Sequence, residues 1–136
     1  MNTELVKACR AALAVLCVCA CADAFAMSIR TNRRPLARSP DGATLYEIRA
    51  DGPEGGGSLT YRVQGKTPRT AIDFLVSSDF SPGGDSQPQT VSAEVCRQRV
   101  TALGTEIAKR KIPGVTVHPE ACASADRNGV VTAAKP

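Results

Sequence analysis

Between residues 92 and 122 the apolar positions fall at Cys96, Val100, Leu103 and Ile107. On a helix turning about every 3.6 residues, this i, i+4, i+7, i+11 spacing places all four within one narrow arc. The polar positions mark the ends of the same helix. Ser92 can cap its start, Glu94 suits the positive end of the dipole, and Lys109, Arg110 and Lys111 suit the negative end. Glu106 and Arg110 stand four apart in the favourable order. Gly104 weakens the helix by about 1 kcal/mol relative to alanine, and close contact with a neighbouring strand is the expected compensation.

Ile112-Pro113-Gly114 predicts the helix stop and Val115-Thr116-Val117 a strand running back. From Cys96 to Lys111 the helix covers roughly 22 Å at about 1.5 Å per residue. From Gly114 to Cys122 an extended chain reaches roughly 26 Å. The matched lengths bring Cys122 back beside Cys96 and predict a structural disulfide between them, for which loop entropy gives roughly 3.5 kcal/mol.

Upstream the period changes to two. Tyr46, Ile48 and Ala50 alternate with Glu47 and Arg49, Leu59, Tyr61 and Val63 with Thr60, Arg62 and Gln64, and Ile72, Phe74 and Val76 with Asp73 and Ser77. These are three strands of a meander, with Tyr46, Tyr61 and Phe74 expected on the core side and Glu47 and Asp73 facing solvent. The predicted fold is α+β: a small antiparallel sheet, β-β-β-α-β in sequence, with one amphipathic helix packed on one face and one disulfide. A single domain over 42–122 and a flexible tail over 123–136 complete this expectation.

The connections differ in kind. Residues 51–57 are glycine-rich, and residues 65–69 hold Gly65 and Pro68, as a reversal does. Gly65-Lys66-Thr67 ends like a phosphate-binding loop, but Thr60 stands where the earlier glycine belongs and Pro68 where a helix should begin. Residues 79–89 form a connection about twice the median length, rich in proline and glycine, with Phe80 as its single aromatic residue. Asp79, Phe80 and Asp85 are therefore the candidate partner-binding loop and the expected most mobile internal segment, with the tip at 55–57 as a second contact surface.

Residues 1–26 have the parts of a cleaved secretory signal: Lys7 and Arg10, an apolar run over 11–22, and Ala24-Phe25-Ala26 at the cleavage position. The run falls short of the roughly 20 residues that span a bilayer, so no transmembrane helix is expected after processing. Val18-Cys19-Ala20-Cys21 resembles the lipobox of bacterial lipoproteins, which implies lipidation at Cys21 and a lipid-anchored form as the alternative to a periplasmic or secreted one.

The chain carries a net charge of +4. Lys7 and Arg10 balance Glu4 and Asp23, so this charge survives cleavage, and Arg30, Arg33, Arg34 and Arg38 account for it. Residues 27–41, with those arginines and two prolines, are expected as a disordered basic arm. Without stacking aromatics or a recognisable module in the arm, nucleic acid is not an expected partner.

His118 is the only histidine. Even with Cys96 and Cys122 it supplies three zinc ligands, two of them claimed by the disulfide, and Asp79 and Asp85 match no calcium loop; no metal and no cofactor is predicted. A pair of carboxylates for acid–base work is equally hard to assemble. The expected function is that of a small exported non-catalytic protein, inhibitor-like or envelope-accessory, that binds another exported protein or an envelope polymer. A small exported hydrolase using His118 beside Ser77, Ser78 or Asp79 is the alternative.

Overall fold

The computed structural model describes residues 29–52, 56–79 and 90–135, and its first four strands form one antiparallel sheet in sequence order. They are β1 (Arg30–Arg38), β2 (Thr44–Asp51), β3 (Gly57–Gln64) and β4 (Ala71–Ser78). Helix α1 (Ala93–Lys109) follows, then β5 (Val115–Val117), a 3-10 turn (Pro119–Ala123) and β6 (Val131–Ala133), which pairs with β5 in a separate two-stranded ribbon. The architecture is the expected α+β arrangement, enlarged by a strand at each end.

Both additions correct the sequence reading. Residues 30–38, expected as part of a disordered arm, pair with β2 from Arg30 opposite Asp51 to Arg38 opposite Thr44. An edge strand tolerates what an interior strand does not: Pro35 sits at the register shift between Pro35 and Ala37, and the arginines are exposed along an unpaired edge. Arg33 gains a specific partner as its guanidinium lies 3.6 Å from the centroid of the Tyr46 ring. At the other end, the expected flexible tail holds Val130 and Val131, both buried, and β6.

The facing of β2 is also reversed. Leu45 and Glu47 are buried on the helix side, and Tyr46, Ile48 and Ala50 lie half-buried on the open side. The core joins Leu45, Leu59, Tyr61, Val63, Phe74 and Val76 of the sheet to Cys96, Val100, Leu103 and Ile107 of α1. That is the helix stripe read from the sequence. Ile72, paired with Val63, shares its face but lies beyond the cover and is 42% exposed.

The helix ends are built as their residues dictate. Ser92 Oγ accepts from Val95 N–H at 3.2 Å. At the far end Lys111 N–H donates to Ala108 O and Ile112 N–H to Ile107 O, both at 3.1 Å, with Lys111 at φ 53°. This is a Schellman closure in which Lys111 takes the left-handed position usual for glycine, and Ile112 buries itself against Ile107. The helix is thus closed at Lys111, two residues before Pro113. Gly104 has its predicted compensation, since a methyl there would stand 2.8 Å from Val117 Cγ2 of β5.

The disulfide joins Cys96 and Cys122, both fully buried, with Cα atoms 5.8 Å apart. Cys122 lies in the 3-10 turn rather than in a continued strand. Because Cys96 stands in the first turn of α1, the bond pins the chain after Cys122 to the end of the molecule where β4 leaves the sheet and α1 begins.

Candidate functional site

At that end the two connections singled out from the sequence meet. Gly52 N–H donates to Gly56 O at 2.6 Å, closing the base of the first, and Asp79 N–H donates to Gly57 O at 2.7 Å, tying the second to it. Gly57 is required here because a methyl on it would approach Ala50 O to 2.9 Å. The fold therefore fixes the roots of both connections to each other. Phe80, Asp85 and Gly55 lie outside the described residues, as does Cys21 with the whole leader.

Beneath this junction is a cleft of about 420 Å³, whose lining includes Asp51, Ser58, Ser77, Asp79, Thr90, Asp126, Arg127 and Asn128. They come from five parts of the chain: the end of β2, the start of β3, the end of β4, the approach to α1 and the segment after Cys122. Arg127 crosses beneath them, donating from Nη1 to Val91 O at 2.6 Å and to Val76 O at 3.4 Å. Its Nε is buried and has no hydrogen-bond partner among the described residues. Asp126 closes a turn by accepting Asn128 N–H at 2.9 Å.

The charges of the cleft are unevenly satisfied. Arg49, also on its wall, is engaged by Glu47 Oε1 at 3.1 Å. Asp51 and Asp79 are exposed and make no ion pair among the described residues. The connections that begin at these two residues add Glu54 and Asp85 in sequence, and neither holds a lysine or arginine. Among the described residues of the cleft lining, Asp51, Asp79 and Asp126 outnumber Arg49 and Arg127 by one.

Next to the cleft, the core face of the sheet carries a buried acid. Glu47, expected in solvent, is 6% exposed and lies opposite Tyr61 in register. It accepts from Tyr61 Oη at 3.4 Å and pairs with Arg34 at 3.4 Å and Arg49 at 3.1 Å. Three donors make its burial tolerable. Burial, and then the neighbouring Glu47 carboxylate, push the Tyr61 hydroxyl well above the ordinary tyrosine range.

His118 stands elsewhere. Its Nδ1 lies 3.1 Å from Glu120 Oε1 and its Nε2 3.2 Å from Thr132 Oγ1, across the β5–β6 ribbon. The neighbours it meets are therefore Glu120 and Thr132, while Ser77 and Asp79 line the cleft at the end of the sheet. The Glu120 carboxyl is held below its usual range, first by its own backbone N–H and then by His118. A carboxylate, an imidazole and a hydroxyl in line are the parts of a nucleophilic relay. Here, however, the Glu120 side chain is 75% exposed, so water screens the array.

Among the described residues no group of three or more histidine, cysteine, aspartate or glutamate side chains converges to hold a metal ion, and no helix is long and apolar enough to cross a membrane. No known protein family matches this chain, and neither a curated protein nor a solved structure is detectably similar to it.

The sequence alone pointed to Asp79 and the glycine tip but not to Asp51, Thr90, Asp126 or Arg127. One signal was available. Cys96 lies in the first helical turn, so the disulfide itself requires residues 123–128 to land beside the start of α1 and the end of β4.

Proposed function

We propose that this protein is an exported, non-catalytic binding module that receives a cationic segment of another exported macromolecule at the Gly57–Asp79 end of its sheet. The observation that carries this reading is the junction itself. Two connections, one within the β2–β3 hairpin and one from β4 to α1, are tied root to root over a polar cleft, and Asp51 and Asp79 make no ion pair there among the described residues. Such an arrangement favours a partner bringing positive charge, and charge complementarity contributes specificity and association rate. The buried Cys96–Cys122 bond supports export, since disulfides persist in oxidising compartments. The leader-like composition of residues 1–26 supports it independently.

The test is charge reversal at the cleft. Asp51→Lys with Asp79→Lys should abolish retention of the partner captured by the unaltered protein from the exported fraction of its own cells. Lys109→Gln, at the opposite end of α1, should leave that retention intact. Equal retention by both variants contradicts the reading.

One observation favours the hydrolase alternative, the Glu120–His118–Thr132 array. With Nδ1–H donating to Glu120, Nε2 is free to accept the Thr132 O–H, the polarity a general base needs. Screening ester and peptide substrates with the wild-type protein and His118→Ala separates the readings: a turnover lost in the variant while its melting temperature is kept supports the enzyme.

A further inference from the structure

Opposite the cleft, three separate parts of the chain bring cations together. The β1–β2 turn follows Arg38, the β3–β4 turn carries Lys66 and Arg69, and α1 ends in Lys109, Arg110 and Lys111. Arg110 stitches the three parts together: Nη1 lies 3.7 Å from Asp41 Oδ2, Nε is 2.5 Å from Glu106 Oε1, and a methyl on Gly65 would stand 3.9 Å from Nη1. Asp41 is further occupied by the Ser39 hydroxyl and by Ala43 N–H, which hold its carboxyl below the usual range. Asp41 and Glu106 are thus both engaged with Arg110, while Asp73, beside Ile72, is taken up by Arg62.

The remaining five cations, Arg38, Lys66, Arg69, Lys109 and Lys111, make no ion pair among the described residues. Two of them approach the same glycine. A methyl on Gly42 would meet Lys66 Cε at 3.0 Å and Arg38 Nη2 at 3.9 Å, so cations from opposite turns converge over one glycine with φ 85°. Cations gathered at one end of the molecule favour a shared anion. The same end also exposes Ile72, at the start of β4 just after Arg69.

We propose that this end of the molecule docks on an anionic phospholipid bilayer, with Arg38, Lys66, Arg69, Lys109 and Lys111 against the headgroup phosphates and Ile72 at the interface. Several separately mounted cations at the same end as an exposed apolar side chain suit a laterally extended anionic surface better than one small anion. Docking in this way leaves the cleft at the opposite end of the sheet turned away from the lipid. The inference stands on the cations alone and does not require the cleft to bind anything.

The experiment is vesicle co-sedimentation of the protein as its own cell processes it, with vesicles of about 30% phosphatidylglycerol in phosphatidylcholine compared with phosphatidylcholine alone. Lys66→Gln with Lys109→Gln should weaken partitioning onto the anionic vesicles by roughly fivefold for each cation removed, the factor one basic side chain adds at such a surface. Arg30→Gln with Arg97→Gln removes the same net charge from elsewhere and should leave partitioning nearly unchanged. Because the pairs are matched, any contribution of a leader or lipid cancels between them. Binding should also fall as salt rises from about 50 mM to about 500 mM. Equal losses from both pairs would reduce the effect to net charge, and capture by soluble dextran sulfate without vesicle binding would assign the patch to a polymer; either result overturns the proposal.

Discussion

Gly104 shows how a residue disfavoured locally is required by its surroundings. Alanine would favour the helix by about 1 kcal/mol, yet its methyl would stand 2.8 Å from Val117 Cγ2, on a β-branched side chain with little rotational freedom. Overpacking of about 1–3 kcal/mol outweighs the helical gain. Gly104→Ala should therefore lower stability in urea unfolding, and the same change in a Val117→Ala background should raise it. Lys111 is the converse case, a residue with a side chain where the backbone favours glycine. Lys111→Gly should stabilise by about 1 kcal/mol, read from the denaturation midpoint. At Tyr61 the argument turns on pH. The folded state holds its hydroxyl protonated, whereas the unfolded chain releases the proton near pH 10 or so. The contribution is then fully present below about pH 10 and is lost as pH rises above it. An ultraviolet titration of the phenolate band should show Tyr61 ionising only together with loss of the native circular dichroism. The alternation around Tyr61 was legible in the sequence, but the position of Glu47 was not. A lone acid among strand residues reads as solvent-facing, and the cross-strand partners Arg34 and Tyr61, which join Arg49 in making its burial possible, are set by tertiary structure.

Among the elements, α1 was the most legible, because its stripe, its Ser92 cap and its basic end are all local signals. β1 and β6 were not, and for different reasons. β1 is an edge strand whose arginines and Pro35 imitate a disordered segment, since the features that protect a sheet edge are those that mark disorder. β6 is three residues long with one buried valine, Val131, and exists because β5 lies beside it and the disulfide has already returned the chain to the core. At the opposite edge of the sheet, β4 shows a register shift between Leu59 and Thr60 of its partner. The adjacent carbonyls of Leu75 and Val76 are met by Arg99 at 3.0 Å and by Arg127 at 3.4 Å. These side chains take up the acceptors that the irregular ladder leaves at an edge. The element on which the rest depends is the bridge. Loss of the Cys96–Cys122 bond by double replacement with alanine should lower stability by about 2–5 kcal/mol and the melting temperature by more than about ten degrees. A double variant melting like the wild type would contradict its structural role.

Seen whole, the molecule has two unlike ends. Asp51, Asp79 and Asp126 gather where β4 leaves the sheet, and Arg38, Lys66, Arg69 and the last turn of α1 gather at the other. The net charge of +4 read from the sequence conceals this division, because the acids and cations of each end are scattered along the chain and only the topology sorts them. Fold class and staple could be derived from periodicity and chain length. The cleft could not, since it joins β2, β3, β4, the approach to α1 and the segment after Cys122, and such a junction is a property of tertiary structure. Thr90 lines the cleft and is exposed, while Thr116 is exposed on the β5–β6 ribbon, which makes them a matched pair of reporters. A photo-crosslinking residue placed at Thr90 in the chain expressed by its own cells should form an adduct with one exported partner, through a lysine- or arginine-rich segment, and the same residue at Thr116 should not. Adducts formed equally from both positions, or from Thr116 alone, would contradict the assignment of the Gly57–Asp79 end as the binding site.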